Sequence, residues 1–365
     1  MTEQERKAKN KKLIILAVVL SSVAFIVQAA ILIGSAALTL SMLNSSSGGN
    51  PFAALTTPFA YTQIEDGIRI DGLKDGKRAE GKFEIPAEIG GEPVVEIAEG
   101  AFMFDGITEL IIPEGVKRIE GSAFSYNSDL TTVSIPNSIE SISVSAFASC
   151  DSLVYNDYIY AHYLGNSENP YVVLVSSFDE NVLYANINEN TKIIASNAFY
   201  NCKKIEGAIA IPDGVKSIGK NAFYSCAKVM SVSMTDSVVE IGAYAFAFCN
   251  NLLTVELSNS ITEIKSNTFY HCSNLRNITI PSGVTKIGEE AFYRCKSIKT
   301  LTIPKATNSI GKGAFVVGAS TEIIFEDTEG WTAGYYEIKS SDLESPKKVR
   351  ELFLYTYEDL AWTKK

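Results

Sequence analysis

From Ile278 to Ile298 the chain reads ITIPSGVTKIGEEAFYRCKSI, and its apolar positions fall into three groups. Ile278 and Ile280 alternate with polar residues, the period of a short strand with one buried face. Pro281 has no N–H to donate to a ladder and ends that strand. Ser282-Gly283 then reads as a turn. Val284 and Ile287 mark a second extended piece, closed near Gly288. Ala291, Phe292, Cys295 and Ile298 have helical spacing and predict a turn or two of helix.

The same pattern recurs. Leu110 to Leu130 reads LIIPEGVKRIEGSAFSYNSDL, Val133 to Leu153 reads VSIPNSIESISVSAFASCDSL, and Ala210 to Val229 reads AIPDGVKSIGKNAFYSCAKV. Val232 to Leu252 and Val255 to Leu275 follow suit. Counted on Phe102, Phe124, Phe147, Phe199, Phe223, Phe246, Phe269, Phe292 and Phe315, the steps are 22, 23, 52, 24, 23, 23, 23 and 23 residues. A period in the twenties is too short for paired-helix repeats and fits a leucine-rich coil. One repeat cannot enclose its own apolar side chains. Stacked repeats can, by setting Ile on Ile, Phe on Phe and Cys on Cys.

With IIP, VxxI, AFxxC and a closing Leu, the pattern resembles the BspA-type leucine-rich repeat, a subclass found in many bacterial and some protist surface proteins. The resemblance runs from about Ile85 to Phe325. Met234-Thr235 and Leu257-Ser258 stand where other copies have Ile-Pro, Thr268 replaces Ala, and Asp105 and Asn127 occupy the Cys position. The resemblance implies surface binding or adhesion. The predicted fold is a leucine-rich-repeat solenoid of about ten coils over 83–325. It is mostly β with short helical or 3-10 turns, and one N-terminal transmembrane helix precedes it.

That helix is read from the first sixty residues. Residues 1–12 form a basic tail with a net charge of +3, and no charged residue occurs from Leu13 to Ile64. The apolar run Leu13 to Ile33 spans ~32 Å as a helix, against a bilayer core of ~30 Å. A segment over 13–36 acting as a signal-anchor places the basic tail in the cytoplasm and the remainder outside. The localisation expected is then the cell membrane, single-pass, with an extracellular C-terminal domain. The alternative is a secreted protein released by cleavage near Gly34 to Ala37, although the run exceeds the usual signal-peptide length. Residues 37–60, with the tract NSSSGGN, read as linker.

Residues 61–82 carry alternating Ile68 and Ile70 and three Asp-Gly turns, and read as an N-terminal cap. The long step in the count holds an insert at 154–190, rich in tyrosine. It reads either as an extended coil with its own hairpin or as a binding protrusion on one face of the solenoid. Residues 326–365, with Trp331 and Trp362, read as a C-terminal cap.

All six cysteines lie three residues after a repeat Phe. A disulfide needs side chains that point at each other, whereas one column of equivalent positions points a single way. The reading is buried free thiols, each with a weak S–H bond to backbone. Asn127 in the same column fits, since an amide serves the same backbone groups.

There is no paired-cysteine metal motif, no nucleophile elbow and no phosphate-binding loop, so no catalytic, cofactor or metal residues are assigned. Beyond the basic tail the net charge is −13, which argues against nucleic acid as a partner. The candidate site is a row of residues next to the repeat Phe: Tyr200, Tyr224, Tyr270 and Tyr293, broken by Ala247. If Phe points in, these point out. The row either shields the coil or makes a contact surface for a protein or glycan on another cell or matrix. A structural role in an envelope complex, with no external ligand, is the alternative function.

Overall fold

The computed structural model describes residues 57–143 and 145–364. The expected anchor over 13–36, with the basic tail and most of the linker, lies outside the described residues. Among the described residues no helix is long and apolar enough to cross a membrane. The repeats and both of their ends belong to one unit, Pro58–Lys365.

The isoleucine–proline strands and the valine–isoleucine strands build two separate parallel ladders. In the first, Glu206–Ala210, Lys228–Ser233, Thr254–Glu256 and Asn277–Ile278 pair side by side in one sheet. Their register sets Ile209 on Val232, Val232 on Val255 and Val255 on Ile278. In the second, Ile97 pairs with Ile119 and Ile119 with Ile142. Further along, Ile194 pairs with Ile218 and Ile218 with Ile241. A one-residue slip would turn each apolar set to solvent, so burial of one face fixes the register. The outcome is a β-solenoid of about eleven turns.

The Phe segments complete each coil. Phe223 and Phe246 stack with centroids 5.4 Å apart and planes 2° from parallel, and Phe246, Phe269, Phe292 and Phe315 continue at 5.5 to 5.8 Å. Phe102, Phe124 and Phe147 form a shorter stack at 5.5 Å. All except Phe147 are fully buried.

The predicted helix in this segment is replaced by single turns. In one coil Ala291, Tyr293 and Cys295 donate their N–H groups to carbonyls three residues back, while Glu290, Phe292 and Arg294 donate to Lys312, Ala314 and Val316 of the next coil. Glu290 and Arg294 take φ of 53° and 60°, as Asn267 and His271 do at 59° and 60°. A helix spends every backbone bond within itself. The left-handed residues turn alternate amides outward instead, so that even the turns are ladders between coils. Among the described residues, α-helix appears only at Ser340–Leu343 and Pro346–Glu351, in the C-terminal segment.

The cysteines lie inside this arrangement, all unpaired and buried. Cys226, Cys249, Cys272 and Cys295 each donate S–H to the repeat Phe carbonyl of the preceding coil, at 3.2, 3.2, 3.1 and 3.0 Å. Asn127 reaches the Phe102 carbonyl at 2.9 Å with its amide and accepts from Ile107 N–H at 3.1 Å. Burial pushes the thiols of Cys226, Cys249 and Cys272 well above their ordinary value.

Both ends are closed by elements that leave the repeat pattern. At the start, Phe59–Ile64 and Gly67–Leu73 form an antiparallel hairpin that joins the second ladder at Glu92–Ile97. Its first strand begins at Phe59, inside the stretch read as linker, because Phe59 packs on Phe83 and Phe102 at the end of the Phe stack. At the other end Trp362–Lys364 pairs antiparallel with Ser309–Ile310, and Phe353 stands edge-on to Phe315. Reversing strand direction stops the parallel ladder from templating another coil.

Within the insert, Val173–Ser177 pairs parallel with Ile193–Ile194 and so supplies a rung of the second ladder. Ala161–Leu164 pairs antiparallel with that strand and Asn156–Tyr158 pairs antiparallel with Ala161–Leu164, making a hairpin at its side. Tyr158, Tyr163 and Tyr171 pack together on the inner face at 5.4 to 6.2 Å.

Candidate interaction surface

In four coils the turn that buries the repeat Phe presents a tyrosine next to it, at Tyr200, Tyr224, Tyr270 and Tyr293, and the solenoid rise brings neighbouring rings into contact. Tyr200 and Tyr224 stack at 5.0 Å with planes 15° apart, and Tyr270 and Tyr293 at 5.2 Å with planes 8° apart. Tyr200 is 45% exposed and the other three are half-buried.

Sequence spacing leaves a gap at Ala247, which is buried. The structure fills it with Phe248, one residue on. Its ring lies 5.3 Å from Tyr224 and 5.4 Å from Tyr270, edge to face in both cases. Phe248 has φ of 60°, the left-handed turn position occupied by Ser225 and His271 in the flanking coils. His271 stacks on Phe248 at 5.0 Å and lies 4.6 Å from Tyr270. The four tyrosines therefore belong to one unbroken aromatic row with two members that spacing alone missed. The available signal was that the copy lacking Tyr after its Phe carries an aromatic one position later.

Charge gathers at one end of the row. The Arg294 guanidinium lies 5.4 Å over the Tyr293 ring, a cation–π contact. Burial, and then the positive charges of Arg294 and Lys296, lower the His271 imidazole below its ordinary value. Burial, and then the Glu290 carboxylate, raise the Tyr270 hydroxyl.

The stacking decides which chemistry the row offers. Parallel rings about 5 Å apart cover each other's faces, so edges and hydroxyls remain for a partner. Flat stacking of a sugar ring needs an open aromatic face, whereas protein side chains pack well against edges. Elsewhere, an open groove of about 320 Å³ runs beside the valine–isoleucine strands, lined by Ser143, Ser196, Lys220, Glu240 and Lys265. Lys265 is paired with Glu240 there. Among the described residues no group of three or more His, Cys, Asp or Glu is placed to hold a metal ion.

A model of the BspA type leucine rich repeat region, in six copies, matches residues 90–160 and 192–322, more than half of the chain. No curated protein matches at a significant level. Among solved structures, a leucine rich cell surface protein from Faecalibacterium prausnitzii A2-165 is 21% identical, covering 79% of this chain and 96% of its own, with a TM-score of 0.35. The leucine rich repeat protein of T. pallidum is 22% identical, covering 66% and 88%, with a TM-score of 0.27. The pneumococcal vaccine antigen PcpA is 16% identical, covering 78% and 91%, with a TM-score of 0.33.

Proposed function

The chain belongs to the BspA-type leucine-rich repeat family, and from that premise we propose that it is a cell-surface protein that binds a macromolecular partner through the row Tyr200 to Tyr293. The apolar run over 13–36 acts as a single-pass anchor that holds the solenoid outside the cell. The partner is a protein on another cell or in the matrix rather than a glycan. The observation that carries this reading is the continuity of the row: aromatic side chains from five successive coils, held in register by their own contacts. Such a surface is rigid before contact, which lowers the ordering cost of association. No catalytic role is proposed.

The test is attachment of cells displaying the protein, with Tyr224, Tyr270 and Tyr293 changed together to Ala. Loss of attachment while the variant still unfolds cooperatively above the assay temperature supports the proposal. A second variant, Ser225→Glu, sets a charge beside the row and leaves the stack intact, and it lowers attachment as well. Full attachment by both variants means that the row only shields the coil, as in a structural envelope module.

A further inference from the structure

The insert presents a second surface of different chemistry. The hairpin of Asn156–Tyr158 and Ala161–Leu164 turns its inner tyrosines to the core and an aromatic set outward. On that outer face the His162 ring lies 5.3 Å from Tyr155 and 4.7 Å from Phe178, and Phe178 lies 6.4 Å from Tyr160. The His162 Nδ1–H donates to the Asp157 carboxylate at 2.7 Å. Here the rings meet at tilted or perpendicular angles, with no parallel stack among them. Tyr160 is 57% exposed and Phe178 44%.

Two further features define the occupant. Among the described residues, the strand Asn156–Tyr158 ends its sheet, with a ladder partner on one side only. From Asp151 to Asn190 the chain has six carboxylates and neither lysine nor arginine. Exposed aromatic rings in an acidic segment without lysine or arginine favour cations, and a strand at the end of its sheet accepts an extended backbone. At the hairpin tip Ile159 and Tyr160 take φ of 34° and 66°. That two-residue turn is relaxed in Asn-Gly and strained in a β-branched residue. The tip thus holds two outward apolar side chains where turn chemistry favours small polar ones.

We infer that the insert docks an extended, lysine- or arginine-bearing segment of a protein partner, which adds a strand at Asn156–Tyr158 and lays its cations over Tyr155, Tyr160 and Phe178. The inference does not rest on the tyrosine row and stands if that row only shields the coil.

The probe is a fluorescein-labelled heptapeptide of alternating lysine and valine, followed by anisotropy with the full-length protein. The glutamate–valine and lysine–glycine heptapeptides serve as controls. The lysine–valine peptide binds, weakens with added salt, and exceeds both controls by at least about tenfold. The double change Ile159→Asn and Tyr160→Gly keeps or raises the melting temperature, because it relaxes the turn, and weakens binding by at least about tenfold. Tyr160→Ala with Phe178→Ala does the same to binding, and loss of the tyrosine row does nothing. Equal binding of the glutamate–valine or lysine–glycine peptide overturns the inference. So do unchanged affinity in the turn variant and displacement of the peptide by a neutral oligosaccharide.

Discussion

Raising the pH through the thiol range should dismantle the solenoid from within. Cys226, Cys249 and Cys272 occupy three consecutive coils, each fully buried and each donating S–H to a Phe carbonyl. In the fold their pKa values lie well above the ordinary thiol value of 9.0, chiefly through desolvation. Unfolding releases them to that ordinary value. Above pH 9 the unfolded chain therefore holds fewer protons than the folded one, and stability falls as pH rises, from 9 up to the folded pKa values. Each thiol contributes about 1.4 kcal/mol per pH unit in that window. The three together lower stability by about 4 kcal/mol between neutral pH and pH 10, a large part of a usual total of about 5–15 kcal/mol. The assay is urea unfolding of the reduced protein from pH 7.5 to 10, against a variant with all three cysteines changed to Ala. The variant starts less stable, since it lacks three hydrogen bonds and some volume, but its slope with pH is shallower. Tyrosine and lysine titrations are common to both chains and cancel in the difference. Parallel slopes would refute the reasoning, as would rapid reaction of these thiols with a labelling reagent in the native state at pH 8.

Other perturbations act on the Phe stack, the close approach of the coils, the aromatic row and its histidine. Phe246→Ala removes a fully buried ring stacked on Phe223 and Phe269, and should cost about 3–5 kcal/mol in urea unfolding. Gly242→Ala sets a Cβ 2.4 Å from the Lys220 backbone nitrogen. Coils are forced apart and stability drops by about 1–3 kcal/mol, whereas Gly207→Ala meets no neighbour and suffers only from its φ of 82°. Phe248→Ala divides the aromatic row. Without the edge-to-face packing on Tyr224 and Tyr270, stability should drop by about 1–3 kcal/mol in urea unfolding, and partner affinity should fall with it. Acidification works against the fold through His271. Its lowered pKa means that stability is complete above pH 6.5 and declines as pH falls from there toward the folded value. The decline is measurable as a drop in melting temperature that His271→Phe removes.

Much of this architecture can be read from spacing because the repeat writes the same burial pattern in every coil. Ile280, Val284, Ile287, Phe292 and Cys295 all fall where the pattern sets them, in the interior. The Cys column was legible for the same reason, since equivalent positions point one way. The turns were not. Their left-handed positions are held by Asn, Ser, Tyr, Phe, His, Glu and Arg as well as by Gly100 and Gly313, so no single residue type marks them, and the apolar spacing of Ala291, Phe292 and Cys295 imitates a helix. Cross-coil bonds from Glu290 and Arg294 decide the matter, and those are tertiary. Phe248 escaped for a related reason: it belongs to a different column of the repeat and reaches the tyrosine row only through the shape of its turn. Phe59 joined the fold from an uncharged stretch that composition assigned to linker, because the exposed end of the Phe stack needed a cover. Exposure in the insert required pairing register, which sends Tyr158 inward and Tyr155 outward from neighbouring positions.

Tyrosine footprinting on the full-length protein, with and without the cells to which it attaches, tests the proposed contact most directly. Tyr335 and Tyr355, 103% and 80% exposed and distant from the row in sequence, act as internal references. A binding row predicts that iodination of Tyr200, Tyr224, Tyr270 and Tyr293 falls on attachment while Tyr335 and Tyr355 keep reacting. Unchanged labelling of those four, with attachment intact, would contradict it.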